Sequence, residues 1–144
     1  MRYAITLMLL SAVAGCGGSP GPETAYVSGT VTMNGAPVTA GLVMFYPSVS
    51  KGENSGKPAQ GDLDSSGEFT LRTYGSSDGA VVGEHIITVL APSGSGERKA
   101  MGKTTPERVT VKAGESNVFE IQVLPPDPSA KPPGGDDEDD DDDD

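Results

Sequence analysis

From residue 24 onward the chain alternates short apolar–polar runs with clusters of Gly, Asn, Asp and Pro. In "AYVSGTVTM" (25–33), Val27, Gly29, Val31 and Met33 fall on one side, and Tyr26, Ser28, Thr30 and Thr32 on the other. A period of two marks a strand with one buried face. "NGAP" (34–37) follows, and Asn-Gly between two such runs predicts a tight hairpin. The return strand is expected within "PVTAGLVMFYP" (37–47), with Val43 and Phe45 opposed to Leu42, Met44 and Tyr46. "GDLDSSGEFTLRTY" (61–74) reads as an arm, a turn over Asp64–Gly67 and a strand through Phe69 and Leu71. In "GEHIITVL" (83–90), Ile87 and Val89 alternate with Ile86, Thr88 and Leu90. A last pair is expected in "RVTVKAGESNVFEIQVL" (108–124), with a turn at Ala113–Ser116. The stretches 48–60 and 93–107 are polar and read as loops, the first of them mobile. No window sustains the i, i+3, i+4, i+7 spacing of a helix. About seven strands, each with one buried side, predict an all-β sandwich of two sheets over residues 24–124.

The first residues follow a different pattern. Met1-Arg2-Tyr3 leads into Ala4–Ala14, where every side chain is apolar or small, and then into Gly15-Cys16. One positive charge ahead of about eleven apolar or small residues is the layout of a secretory leader. The run is too short for a bilayer-spanning helix, which needs roughly 20 residues. A buried amphipathic helix is disfavoured because the run has no polar face. "VAGC" (Val13–Cys16) resembles the lipobox of bacterial lipoproteins. That resemblance implies cleavage after residue 15, a diacylglycerol thioether on Cys16 and, usually, a third acyl chain on its new amino group. Cys16 is the only cysteine in the chain, so it has no partner for an internal disulfide. Two or more acyl chains give stable anchoring, each buried CH₂ contributing about 0.8 kcal/mol. Residues 16–23 then serve as a flexible tether. Gly17, rather than Asp, after the cysteine resembles lipoproteins that are not retained at the inner membrane. The expected location is the bacterial cell envelope, at the outer rather than the inner membrane.

The sandwich region resembles a group of small bacterial lipoproteins that carry a carboxypeptidase-regulatory-like, or transthyretin-like, domain. The similarity lies in Gly29, Val31, Asn34, Gly35, Pro37 and Val38, then Gly41, Val43, Phe45 and Pro47. It continues through Asp64, Gly67, Phe69 and Leu71, and through Asp78, Gly79, Gly83, His85, Ile87 and Val89. The resemblance implies a seven-stranded Greek-key sandwich of the prealbumin type. These motifs are turns and core positions, and they bring no catalytic residue with them. The "P-x-x-Y" segment common in such proteins is missing from 93–107. The 5-hydroxyisourate hydrolases, which use the same scaffold, resemble a chemistry of several histidines and a Tyr-Arg-Gly-Ser terminus. This chain has one histidine and ends in aspartates.

Charge changes the picture only at the end of the chain. The formal net charge is −11, but "DDEDDDDDD" (136–144) supplies nine of the 21 acidic residues. The remainder carries 12 acidic and 10 basic residues, a net of −2. No clustered basic face suited to phosphates is evident, so nucleic acid is not an expected partner. The Pro-, Gly- and Asp-rich stretch 125–144 is expected to be a disordered, solvating tail. A basic protein partner, or weak multivalent Ca²⁺ binding, is its sharper alternative.

Candidate chemistry is sparse. "DLDSSG", with Asp62, Asp64, Ser66 and Gly67, resembles the first half of a calcium loop. The twelfth position from Asp62 is Thr73 rather than Glu, so a hairpin turn is the stronger expectation and no metal site is assigned. His85 is the lone histidine, which leaves no catalytic triad and no zinc ligand set. An enzyme would need a cleft gathering His85 with Asp62, Asp78 or Glu84. The expected role is therefore a non-enzymatic binding or structural accessory module without a cofactor, attached through lipid on Cys16. Loops 48–60 and 93–107 and the tail are its expected contact surfaces. The alternative is a carbohydrate- or peptide-binding module beside an envelope enzyme or transporter, for which Tyr26, Tyr46 and Tyr74 would have to form an exposed platform.

Overall fold

A computed structural model describes residues 21–48, 56–94 and 96–126. The leader, Cys16, most of the 48–60 connection and the acidic tail lie outside the described residues. All regular structure among the described residues is β. Its strands are β1 (Thr24–Ala25), β2 (Val27–Met33), β3 (Ala36–Pro37), β4 (Leu42–Pro47), β5 (Ala59–Asp62) and β6 (Glu68–Thr70). They continue as β7 (Ala80–Val81), β8 (Gly83–Leu90), β9 (Lys103–Thr105), β10 (Arg108–Val111) and β11 (Asn117–Leu124). The count exceeds the seven expected because several pieces are only two or three residues long.

One sheet has the order β10-β8-β4-β5, every neighbour antiparallel. The second has the order β3-β2-β11-β9, with β6 also paired to β2. β1 and β7 form a separate two-stranded ladder. At the centre of the second sheet β2 and β11 run parallel, from Val27 opposite Asn117 to Met33 opposite Val123. Parallel neighbours need a crossover, and here the crossover is nearly the whole domain.

The alternation read from the sequence decides which face is buried. Val27 and Val31 of β2, Val43 and Phe45 of β4, Val89 of β8 and Val123 of β11 are fully buried. Phe45 joins the two sheets: its ring lies 6.2 Å from that of Phe69 in β6 and 5.8 Å from that of Phe119 in β11. Burying each such side chain contributes about 1.5–3 kcal/mol.

Three expectations need correction. The Asn34-Gly35 turn forms, with φ of 52° and 79° as the Asn-Gly hairpin demands. Its return strand, however, is only β3, not the whole of 37–47. Pro37 offers no N–H to extend the ladder. Gly41, at φ 146°, then lies against Leu90, where a Cβ would stand 2.7 Å from the carbonyl oxygen. The chain crosses there into the other sheet.

Likewise, 108–124 is not a hairpin. β10 belongs to one sheet and β11 to the other. The buried side chain of Asn117 holds the arch between them. Its Oδ1 accepts from the Lys112 amide (2.9 Å), and its Nδ2 donates to the carbonyls of Lys112 (3.1 Å), Glu115 (3.2 Å) and Tyr26 (3.3 Å).

The stretch 93–107 is more than a loop. Ala100 bridges Leu90, the Met101 amide donates to the Val89 carbonyl, and β9 then pairs with β11. The buried Thr104 hydroxyl donates back to the Ile87 carbonyl at 3.1 Å. This segment closes one side of the sandwich, leaving Arg98, Lys99 and Lys103 exposed.

Candidate functional site

The outward face of the β2–β11 sheet carries a groove of about 460 Å³. Ser28 and Thr30 project from β2, Val118 from β11, and Glu68 and Thr70 from β6. Tyr26 stands beside Ser28, and Asp62 and Asp64 come from the end of β5 and the turn that follows it. Gly29 is the thin point of the floor. A Cβ there would lie 2.0 Å from the Phe119 carbonyl oxygen and 2.9 Å from the Phe69 ring, so only glycine lets these strands close over the aromatic cluster. A second groove of about 580 Å³ shares Thr30 and continues along the same face past Thr32, Gln122 and Thr105.

The first groove combines one exposed aromatic residue, Tyr26, one buried one, Phe69, an aliphatic patch, several hydroxyls and three carboxylates. Among the described residues, no lysine or arginine lines it. The nearest paired cation is Arg72, 3.4 Å from Asp62 Oδ2, with both side chains well exposed; exposed pairs of this kind contribute little. The chemistry suits a ligand that offers hydroxyl or amine groups to the rim and an apolar surface to Tyr26 and Val118.

The sequence-level candidates do not assemble into one site. Asp64 is a turn residue: its Oδ1 accepts from the amides of Ser66 (2.8 Å) and Glu68 (2.9 Å), and Gly67 adopts φ 77°. Among the described residues, no three His, Cys, Asp or Glu side chains are placed to hold a metal ion. His85 is fully buried beneath Phe45, their rings 5.9 Å apart. Its Nε2 donates to the Val81 carbonyl at 2.6 Å, and its Nδ1 has no hydrogen-bond partner among the described residues.

Asp78 is spent on its own loop. Oδ1 accepts from the Thr73 amide (2.8 Å), and Oδ2 accepts from Tyr74 (2.8 Å) and Gly75 (3.0 Å). Burial pushes this carboxyl up, but the amides of Thr73, Tyr74 and Gly75 outweigh it and hold the group below its ordinary range. Glu84 stands on the opposite outer face, 2.7 Å from Arg108 Nη1, which also donates to Ser48 at 3.2 Å. Hydrogen bonds from Ser48 and Arg108 keep the Glu84 carboxyl below its ordinary value.

The three candidate tyrosines are all exposed, at 43% for Tyr26, 39% for Tyr46 and 48% for Tyr74, yet they form no common platform. Tyr26 lies on the outward face of the β2–β11 sheet and Tyr46 on that of the β4–β8 sheet, across the core from one another. Tyr74 sits in the loop after β6, where its hydroxyl accepts from the Lys57 amide (3.3 Å) and its ring lies 5.8 Å from Lys57 Nζ. Of the three, Tyr26 lines the groove on the β2–β11 face. Its partners Thr70 and Val118 escaped sequence reasoning because their place beside β2 depends on pairings between distant segments. Of the remaining expected contact surfaces, residues 49–55, the tail and Cys16 lie outside the described residues. Compared with family models, with curated proteins and with solved structures, the chain matches none.

Proposed function

We propose that this chain is a lipid-anchored module of the bacterial cell envelope that binds a ligand in the Tyr26 groove and catalyses no reaction. Attachment runs through Cys16, behind a leader cleaved after residue 15, and the "VAGC" motif is its support. Gly17 favours the outer membrane. The two packed sheets are taken as a Greek-key sandwich of the transthyretin type built on seven principal strands; the motif resemblance supports this. The tail offers carboxylates to a basic partner or to Ca²⁺.

The binding role rests on one observation: the groove places Tyr26 and Val118 beside Ser28, Thr30 and Thr70 under an acidic rim. Hydroxyl-rich walls with an aromatic ring suit a sugar, and the carboxylates suit an amine, so an envelope glycopeptide bearing both fits best. The non-enzymatic role is supported by the position of His85, whose Nε2 is committed to a backbone carbonyl inside the core.

The test is titration of the protein with soluble peptidoglycan fragments, using wild type and Tyr26→Ala. Saturable binding that weakens tenfold or more in Tyr26→Ala supports the groove. Binding unchanged by Tyr26→Ala, or no binding at all, overturns it and leaves a structural spacer. The anchor has its own readout: labelled fatty acid is incorporated by wild type and not by Cys16→Ser.

A further inference from the structure

The seven described cations are unevenly employed. Arg72 pairs with Asp62 and Arg108 with Glu84, while Lys57 lies over the Tyr74 ring. Lys112, near the β10–β11 arch, is in no ion pair among the described residues. Arg98, Lys99 and Lys103 are grouped within six residues, all exposed, and in no ion pair among the described residues. Arg98 donates to the neighbouring Ser93 hydroxyl, which leaves its charge unneutralised. Glu97 is the only acid in the stretch 97–103, which keeps a net of +2.

The end of the described chain lies against this patch. Leu124, the last residue of β11, is paired with Lys103. A Cβ on Gly102 would stand 2.0 Å from the Leu124 carbonyl oxygen and 3.3 Å from Pro125 Cα, so the outgoing chain touches the backbone beside Lys103. Nine carboxylates follow at 136–144, ten residues beyond Pro126. A flexible ten-residue spacer has a root-mean-square span of about 17 Å, and a proline-stiffened one reaches about 31 Å. Lys99 is three residues from Gly102, at most about 11 Å along the chain. The tail thus meets the patch at the millimolar effective concentration of a short tether. On the outward face of the β2–β11 sheet, Asp62, Asp64, Glu68 and Glu120 repel it from the grooves.

We propose that the acidic run 136–144 folds back onto Arg98, Lys99 and Lys103 of its own chain. The tail is then the first occupant of the patch, and any anionic partner must displace it. Because the pairs are exposed, the contact is screened by salt, with a Debye length of about 8 Å at 0.15 M. It does not depend on the groove or on the lipid anchor.

The experiment uses the full chain carrying Cys16→Ser, with a nitroxide on Gly135→Cys and ¹⁵N amide spectra recorded at low salt. The amide signals of Lys99–Lys103 are expected to vanish while those of β4 and β5 persist. They should return in 0.5 M NaCl, and also when Arg98→Gln, Lys99→Gln and Lys103→Gln are combined. The spectrum itself reports that each variant is folded. Broadening spread over all faces, centred elsewhere, or indifferent to salt and to the three substitutions overturns the proposal. So does broadening of equal strength when label and ¹⁵N are on different molecules, which would make a second copy the occupant.

Discussion

Two aspartate–glycine turns flank β6, and they spend their carboxylates differently. In the first, Asp64 offers one oxygen to two amides and lies on the rim of the groove, while Gly67 completes the bend. In the second, Asp78 gives both oxygens to three amides in a part-buried loop, and Gly79 follows directly. In the sequence, Asp64 belongs to a stretch that resembles half of a calcium loop, and Asp78 is one of the carboxylates an enzyme cleft around His85 would need. The number of amides captured, and the depth at which they are captured, separates them: both oxygens of Asp78 are used by the fold, whereas Asp64 uses Oδ1 alone and is an exposed residue lining the groove.

The glycines should show the largest contrast. Gly79 has φ 79°, and a Cβ there would stand 1.8 Å from the Ala25 carbonyl oxygen, a backbone atom that cannot move aside. Gly67 has a similar φ of 77°, but its nearest contacts are looser, at 2.8 Å from the Val31 oxygen and 3.1 Å from Pro37 Cβ. Left-handed backbone alone costs a non-glycine residue about 1–2 kcal/mol. Gly79→Ala is therefore expected to destabilise by about 4 kcal/mol or more, and Gly67→Ala by about 2 kcal/mol. Urea unfolding of both variants checks this; equal losses would erase the distinction between the turns.

How far these turns were legible in the sequence follows from what each depends on. The Asp64 turn is local: Asp, Ser, Ser and Gly within four residues contain everything the bend needs, and the sequence identified it. The alternation of Val27, Val31, Val43 and Phe45 is local too, and it named the core correctly. The groove is not local. It exists because β2 finds β11, 90 residues away, on one side and β6 on the other. No short-range pattern encodes such a pairing, so Val118 and Thr70 stayed invisible as site residues. The crossing at Gly41 and the arch held by Asn117 were missed for the same reason. Both depend on contacts with distant carbonyls, Leu90 in one case and Tyr26 in the other.

Removing the carboxylates should give a smaller effect in the same direction. Asp78→Ala strands three amides, with a cost of about 2–3 kcal/mol expected from lost charge-assisted hydrogen bonds. Asp64→Ala strands two amides at an exposed turn, where water replaces the carboxylate, and about 1 kcal/mol is expected. Chemical denaturation of the two variants, with the m-value held as a check on compactness, measures the difference. A loss at Asp64 equal to that at Asp78 would mean that exposure does not soften the cost.

Acid should expose the smallest and most specific difference. The Asp78 carboxyl is held below its ordinary range when the protein is folded, so the unfolded chain binds its proton first as pH falls. Stability from this group is complete above the unfolded value of about 3.9 and drains away as pH drops through the lower folded value. In Asp78→Asn that part of the acid slope should vanish, so wild type and variant converge in stability below about pH 4. Glu84 is depressed in the same direction, and Glu84→Gln should remove a smaller part, because Glu84 and its partner Arg108 are both well exposed. Unfolding free energies of the three proteins measured from pH 7 to pH 2.5 test both statements. If the Asp78→Asn curve stays parallel to wild type throughout, the three amides do not favour the charged carboxylate, and Asp78 is no more committed to the fold than Asp64.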